Sequence, residues 1–289
     1  MKYRDRQGNL IIKETGQDKF LRSLYTKKAG RLIIKLLITK PVTCIAAFFL
    51  RIPPSVIFIN RFIKKNGVDM SQFEKCKYKS YNDFFTRRIK PGKRIINESP
   101  NVLISPSDGK ATAFIINDDT YFNVKNTEYT VLSLLKNEEL ARKFAGGTCI
   151  LIRLTVDDYH RYSYPCDGEK EENIHIPGVL HTVNPVAAEH SQIYKENSRE
   201  YTIIHSSKFG DIIQMEVGAL VVGKIVNLHK QAGMHKKGEE KGYFEFGGSS
   251  IILLTQKNKV KISPDILANT GENCETIVKL GEEIGRAVT

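Results

Sequence analysis

The chain has 289 residues, 41% of them hydrophobic and 26% charged, a composition that excludes disordered and collagen-like classes and allows one large domain or two modest ones. Forty-four Lys and Arg against 32 Asp and Glu give a net charge of +12, which calls for an anionic partner, either nucleic acid or an anionic membrane surface. The five cysteines are scattered and never spaced as Cys-x-x-Cys, so they signal neither a disulfide framework nor a zinc site.

Residues 1–31 are polar and charged where a secretory signal needs an apolar core, so the protein is expected to stay inside the cell. Residues 31–51 are apolar but interrupted by Lys35, Lys40 and Pro41, and the uncharged piece 41–50 falls well short of the ~20 residues a spanning helix needs. With residues 52–65 they read as amphipathic helices lying in a bilayer interface, although a helical hairpin packed on the protein body fits the same pattern. Ser80 is a candidate N-cap for a short helix carrying Phe84 and Phe85, stopped by Pro91 and Gly92. From residue 102 onward short β-rich runs alternate with turns, broken by one helix predicted over 131–144. A boundary near residues 65–70 separates a basic, apolar helical region, 1–68, from a β-rich body, 69–289.

Phe246-Gly247-Gly248-Ser249-Ser250 precedes an apolar run, 251–254. Paired glycines permit backbone conformations closed to other residues, so the peptide before Ser249 can be exposed or strained; the pattern alone favours a plain glycine turn into a buried strand. Ser107-Asp108-Gly109-Lys110 matches the Ser-x-x-Lys of penicillin-binding enzymes but lacks its partner motifs. His229 and His235, six apart, do not have a common metal-binding spacing and read as loop or substrate-side residues.

The Gly248-Ser249 pair resembles the cleavage motif of phosphatidylserine decarboxylases. Phe84-Phe85-Thr86-Arg87, Ser105-Pro106-Ser107-Asp108-Gly109, Asp158-Tyr159-His160-Arg161, Val183-Asn184-Pro185 and Val217-Gly218-Ala219 resemble other landmarks of that family, in its order. The resemblance implies that the Ser249 hydroxyl attacks the Gly248 carbonyl, turning the amide into an ester. Elimination and hydrolysis then split the chain into a large subunit, 1–248, and a small one, 249–289, that begins with a pyruvoyl group. This covalent pyruvate is the implied cofactor, acting through a Schiff base with phosphatidylserine; no metal is implied. By the same resemblance His160 is the base for Ser249, and Asp108 orients it. The family often has a second histidine three residues after the first, where this chain has Ser163. The proton donor to the product is therefore sought among His181, Tyr162 and Tyr164, with Ser163 able to orient a donor or a water.

The expected architecture is α+β: a β-rich, sandwich- or barrel-like catalytic core, 69–289, preceded by amphipathic membrane-associated helices. The expected partners are phosphatidylserine in an anionic membrane and the chain's own two subunits, with a homodimer left open and no nucleic acid. The expected location is the cytoplasmic face of the cell membrane, as a peripheral protein. Two rivals are an inactive lipid-binding relative and a pyruvoyl decarboxylase for another serine lipid or an amino acid. A nucleic-acid binder comes third, since no helix-turn-helix, finger or aromatic-basic RNA motif accompanies the charge.

Overall fold

The computed structural model describes residues 2–12, 40–124, 127–179, 193–218, 224–247 and 249–288. Ten strands follow one another across a large mixed sheet: Gly233–His235, Gly168–Lys170, Arg199–Ser206, Gly210–Gly218, Ser249–Thr255, Thr148–Leu154, Gly109–Ile115, Glu275–Val278, Lys2–Arg4 and Leu10–Ile12. An eleventh, Ile174–Ile176, pairs with Arg199–Ser206 off this path.

The central strands are buried on both faces, as uninterrupted runs such as CILIRL and SSIILLT require. Side chains alternate between faces, so Ser249–Thr255 feeds two cores. Ile252 and Leu254 meet Cys149, Leu151, Met215 and the helical residues Val131, Leu134 and Leu140. Ile251 and Leu253 meet Ile150, Ile152, Leu154, Tyr162 and Phe244 on the other side. That second side is joined by two small sheets, Ile225–Asn227 with Glu240–Phe244 and Arg161–Ser163, and Val260–Ile262 with Glu283–Ala287 and Val102–Ile104. The α+β, β-rich expectation holds, in the form of a layered sheet.

Several elements differ from the sequence expectation. Within residues 1–68, Lys2–Arg4 and Leu10–Ile12 form a hairpin rather than helix, with Tyr3 and Arg4 pairing parallel to Glu275 and Thr276. Residues 13–39, which include only the start, 31–39, of the expected interfacial stretch, lie outside the described residues. Pro41 does not block a helix: Lys40–Arg51 is helical with Pro41 in its first turn, where a missing N–H leaves no hydrogen bond unmade. A 3-10 turn, Pro53–Val56, leads to a second helix, Ile57–Asn66, closed by Gly67 at φ 63°. The helix expected over 131–144 is two short ones, Val131–Leu135 and Glu138–Arg142. Lys136 turns left-handed at φ 56° between them, and the Asn137 side chain accepts from Leu140 N to cap the second. Ser80 does cap the helix Tyr81–Phe85, accepting from Asp83 N at 3.2 Å.

Ser249–Thr255 sits between Gly210–Gly218 and Thr148–Leu154, so a cut before Ser249 would leave the small fragment threaded through the middle of the sheet. Across that division Arg153 meets Glu275 through two hydrogen bonds, 3.1 and 2.6 Å. Burial works against the Arg153 charge, but the Glu275 carboxylate raises its pKa above the ordinary value. Glu275→Gln would remove the carboxylate charge that faces the buried guanidinium. We expect it to cost about 3 kcal/mol of stability, read as a lower urea midpoint; fragments from a cut before Ser249 should co-elute in native buffer and separate only in denaturant.

Candidate active site

Ser249 begins its strand opposite Leu154 on one side and Gly218 on the other. By alternation it shares the face of Ile251 and Leu253, toward the core that contains Tyr162 and Phe244. Its hydroxyl is buried and has no hydrogen-bond partner among the described residues. The approach runs through Gly247, whose φ of 144° is readily adopted only by glycine. Gly248, the other half of the expected cleavage site, lies outside the described residues.

His160 reaches the same neighbourhood from the adjacent strand. Thr148–Leu154 ends across from Ser249, and the chain then turns through residues 155–159. Asp158 builds this turn: its carboxylate accepts from Thr155 N at 2.7 Å, from Thr155 Oγ1 at 2.8 Å and from Lys110 Nζ at 2.8 and 2.6 Å. Burial alone would raise the Asp158 pKa, but the Lys110 charge and these hydrogen bonds hold it well below the usual carboxylate range. The turn sets the Asp158 carbonyl 2.9 Å from His160 Nδ1. A carbonyl only accepts, so the geometry assigns the proton to Nδ1 and leaves a lone pair on Nε2. Nε2 is buried with no partner. Burial pushes the His160 pKa down to about 3; the Asp158 charge opposes this and the nearby Arg87 charge adds to it. The imidazole is therefore neutral near pH 7.

The histidine also packs on the segment that leads to Ser249. Phe244 N donates to His160 O at 2.9 Å. The Phe85 ring lies 4.0 Å from the imidazole and 4.9 Å from the Phe246 ring. A buried hydroxyl and a buried imidazole lone pair, both unpartnered on neighbouring segments, are costly as pure structure and are the components of an activated nucleophile.

Asp108 corrects the expected constellation. Its carboxylate receives Arg94 Nε at 2.8 Å and Nη2 at 2.5 Å, Lys279 Nζ at 3.1 Å and Leu280 N at 3.0 Å. With its oxygens occupied by two cations and an amide, Asp108 makes no hydrogen bond to His160; the ring is oriented by the Asp158 carbonyl instead. Gly109 beside it permits a close approach, since a Cβ there would stand 2.8 Å from Ile152 Cγ2 and 3.0 Å from Arg153 O.

The proton-transfer candidates are dispersed. His181 lies outside the described residues. Ser163 is buried, with its hydroxyl 3.4 Å from Pro106 O, and lines a cavity of about 190 Å³ with Tyr159, Tyr162 and Arg94, whose lining includes neither Ser249 nor His160. The Tyr162 hydroxyl donates to Asn227 Oδ1 at 3.2 Å, within a buried network where Lys241 Nζ meets Glu216 at 2.6 Å. Burial raises the Tyr162 pKa well above that of a free phenol, which makes it a poorer acid. Tyr164 stacks on His235 at 4.3 Å, and its hydroxyl is 3.5 Å from His229 Nδ1.

His229 and His235 come together in space. No helix joins them, and among the described residues they and Glu239 place one ligand atom each within 4.8 Å of one another. The contacts that Lys110 makes with Asp158, and Arg94 with Asp108, were not read from the sequence. Thr155 and Asp158, three apart before His160, carried the usable signal of a side-chain-capped turn. The backbone carbonyl that orients His160 left none.

A sequence profile described as phosphatidylserine decarboxylase matches residues 81–286. The chain is 45% identical to phosphatidylserine decarboxylase proenzyme 2 of Clostridium acetobutylicum, over 94% of this chain and 92% of that one. It is 39% identical to a phosphatidylserine decarboxylase proenzyme of Clostridium botulinum, over 98% of each chain. Against a proenzyme of the same name from Ruminiclostridium cellulolyticum the identity is 37%, over 96% of this chain and 94% of that one. With a profile match over most of its length and relatives this similar end to end, the chain belongs to the phosphatidylserine decarboxylase family.

Proposed function

We propose that this protein is a proenzyme that cuts itself before Ser249 and then converts phosphatidylserine to phosphatidylethanolamine and CO2. The observation that carries this reading is the pair of buried, unpartnered atoms, Ser249 Oγ and His160 Nε2, at the end of a glycine-rich approach. The names of the relatives, all proenzymes, supply the substrate class and agree with a self-processed precursor.

In the processing step His160 Nε2 takes the Ser249 hydroxyl proton as Oγ attacks the carbonyl of residue 248. The peptide C–N bond breaks, the amine of Ser249 is freed, and an ester takes the place of the amide. Loss of the Ser249 α-proton expels the carboxylate of residue 248; hydrolysis of the remaining enamine releases ammonia and leaves a ketone. The chain's own residues fit this product, because it requires a buried serine and a neutral base, and His160 packs on the segment that leads to Ser249. The pyruvoyl group supplies a carbonyl that accepts the electron pair released as CO2 departs. Asp108, neutralised by Arg94 and Lys279, is proposed to hold the 279–280 turn against the strand that carries Lys110.

A peripheral position on an anionic membrane has structural support. Ile45, Phe48, Phe49, Ile57 and Phe58 are exposed on the two helices 40–51 and 57–66, while Leu50, Ile59 and Phe62 pack inward on Tyr81 and Phe84. Among the described residues no helix is long and apolar enough to cross a membrane. This region also touches the segments around the site: Arg51 pairs with Glu245, and Ser55 Oγ, in the 3-10 turn between the two helices, accepts from Tyr81 N at 2.8 Å. An apolar patch of this kind, backed by a net charge of +12, suits an enzyme whose substrate stays in the bilayer.

Purified protein tests the reading directly. Two fragments on a denaturing gel and release of CO2 from phosphatidylserine vesicles are expected; one intact chain that binds vesicles without turnover would favour the inactive lipid-binding relative. Replacing Phe48, Phe49, Ile57 and Phe58 by Ser should weaken vesicle binding at least about tenfold while leaving self-cleavage unchanged. Unaltered vesicle binding would remove these helices from the membrane contact.

A further inference from the structure

Arg87 carries a buried charge that the processing chemistry does not use. It is 3% exposed, and its guanidinium is held between two rings, with Cζ 4.3 Å from the Phe73 centroid and 4.9 Å from that of Phe84. Nη1 has one long hydrogen bond, 3.4 Å to Phe84 O, whereas among the described residues Nε and Nη2 have no partner. Among the described residues no carboxylate forms an ion pair with it: Asp108 is taken by Arg94 and Lys279, and Asp158 by Lys110. A buried cation with two unused donors is strongly disfavoured unless an anion arrives to meet it.

Its position is beside the proposed chemistry. Phe85, two residues earlier, packs on the His160 ring, and Thr86 O accepts from Arg161 Nε at 2.8 Å, immediately after His160. Phe246 packs on Tyr81 and Phe85, so the segment covering this cluster is the one that a cut before Ser249 would release.

We propose that Arg87 is the anion-binding residue of the substrate site and that it takes the phosphodiester of the lipid headgroup through Nε and Nη2. This rests on the phosphatidylserine decarboxylase reading above. The headgroup has two anions, and the reaction distinguishes them. The carboxylate loses its charge as CO2 leaves, so a guanidinium clamped on it would stabilise the ground state more than the transition state and slow the reaction. The phosphodiester keeps its charge from substrate to product, and a planar fork suits two of its oxygens.

The test uses calorimetric binding to the processed enzyme, with a denaturing gel and a carbonyl-reactive probe reporting cleavage and ketone formation separately. Glycerophosphoethanolamine should bind wild type about tenfold or more tightly than ethanolamine, because it adds the phosphodiester. Arg87→Gln should cleave and carry the ketone, yet lose that preference, while any preference for serine over ethanolamine stays within about twofold. Arg87→Lys, which keeps the charge without the fork, should retain part of it. Equal binding of glycerophosphoethanolamine and ethanolamine by wild type overturns the proposal, whether or not Arg87→Gln folds. So does a cleaved Arg87→Gln that keeps the phosphodiester preference, or one that loses only the serine preference, which would assign Arg87 to the carboxylate. A wild type that cleaves, binds as expected and releases no CO2 from phosphatidylserine would instead refute the decarboxylase reading.

Discussion

Ser249→Ala leaves one uncleaved chain, and its release of CO2 from phosphatidylserine falls by at least about a thousandfold, to background. Alanine has no oxygen to attack the carbonyl of residue 248, so neither the ester nor the ketone can form. The substitution removes a buried hydroxyl that has no hydrogen bond, so the fold loses no partner and urea midpoints should change little. The informative control is Ser250→Ala. Ser250 lies on the opposite face of the same strand, with Ile252 and Leu254 and their core, and its loss should leave cleavage intact. Cleavage of Ser249→Ala at the wild-type position, or failure of Ser250→Ala alone, would place the nucleophile elsewhere.

What could be read before the structure divides along the range of the interaction. The Ser80 cap and the uninterrupted apolar strands are local, and both appear as expected. The parallel pairing of Tyr3 and Arg4 with Glu275 and Thr276 joins the two ends of the chain, and no local pattern announces it. The break at Lys136 was hidden because a left-handed turn there uses a residue other than glycine. At the site, Ser249 and His160 were legible as types at family positions, since Gly-Ser alone is an ordinary turn. Asp108 was legible as a residue and misread as a contact: sequence reveals a carboxylate but not that Arg94, fourteen positions before it, will occupy it. The orienting group at His160 is a backbone carbonyl, which every residue possesses and no side-chain pattern can mark.

That carbonyl sets the expectations for His160. His160→Ala should also leave a single chain, with processing slowed by at least about a hundredfold, because it removes the unpartnered imidazole nitrogen on a ring that packs against the approach to Ser249. Asp108→Asn should be milder: it disturbs the Arg94 and Lys279 pairs yet leaves the Asp158 carbonyl on Nδ1. Asp158→Ala should be the harsher of the two aspartate changes, since it unbuilds the turn that aims this carbonyl and strands Lys110. The pH dependence has a definite sign. An imidazole with its pKa pushed down to about 3 is unprotonated throughout pH 5–8, so the rate at which newly synthesised precursor cleaves should be flat across that range. Stability should behave differently. Below the ordinary histidine pKa of about 6.5 the unfolded chain takes a proton that the native chain refuses, so this group's contribution is present above pH 6.5 and is lost as pH falls toward 3. Cell-free synthesis of the precursor, sampled on gels at each pH, reads the rate. A tenfold loss per unit below pH 6.5 would show that the base titrates as a solvated histidine, and His160 in this buried, carbonyl-bound state would not be that base.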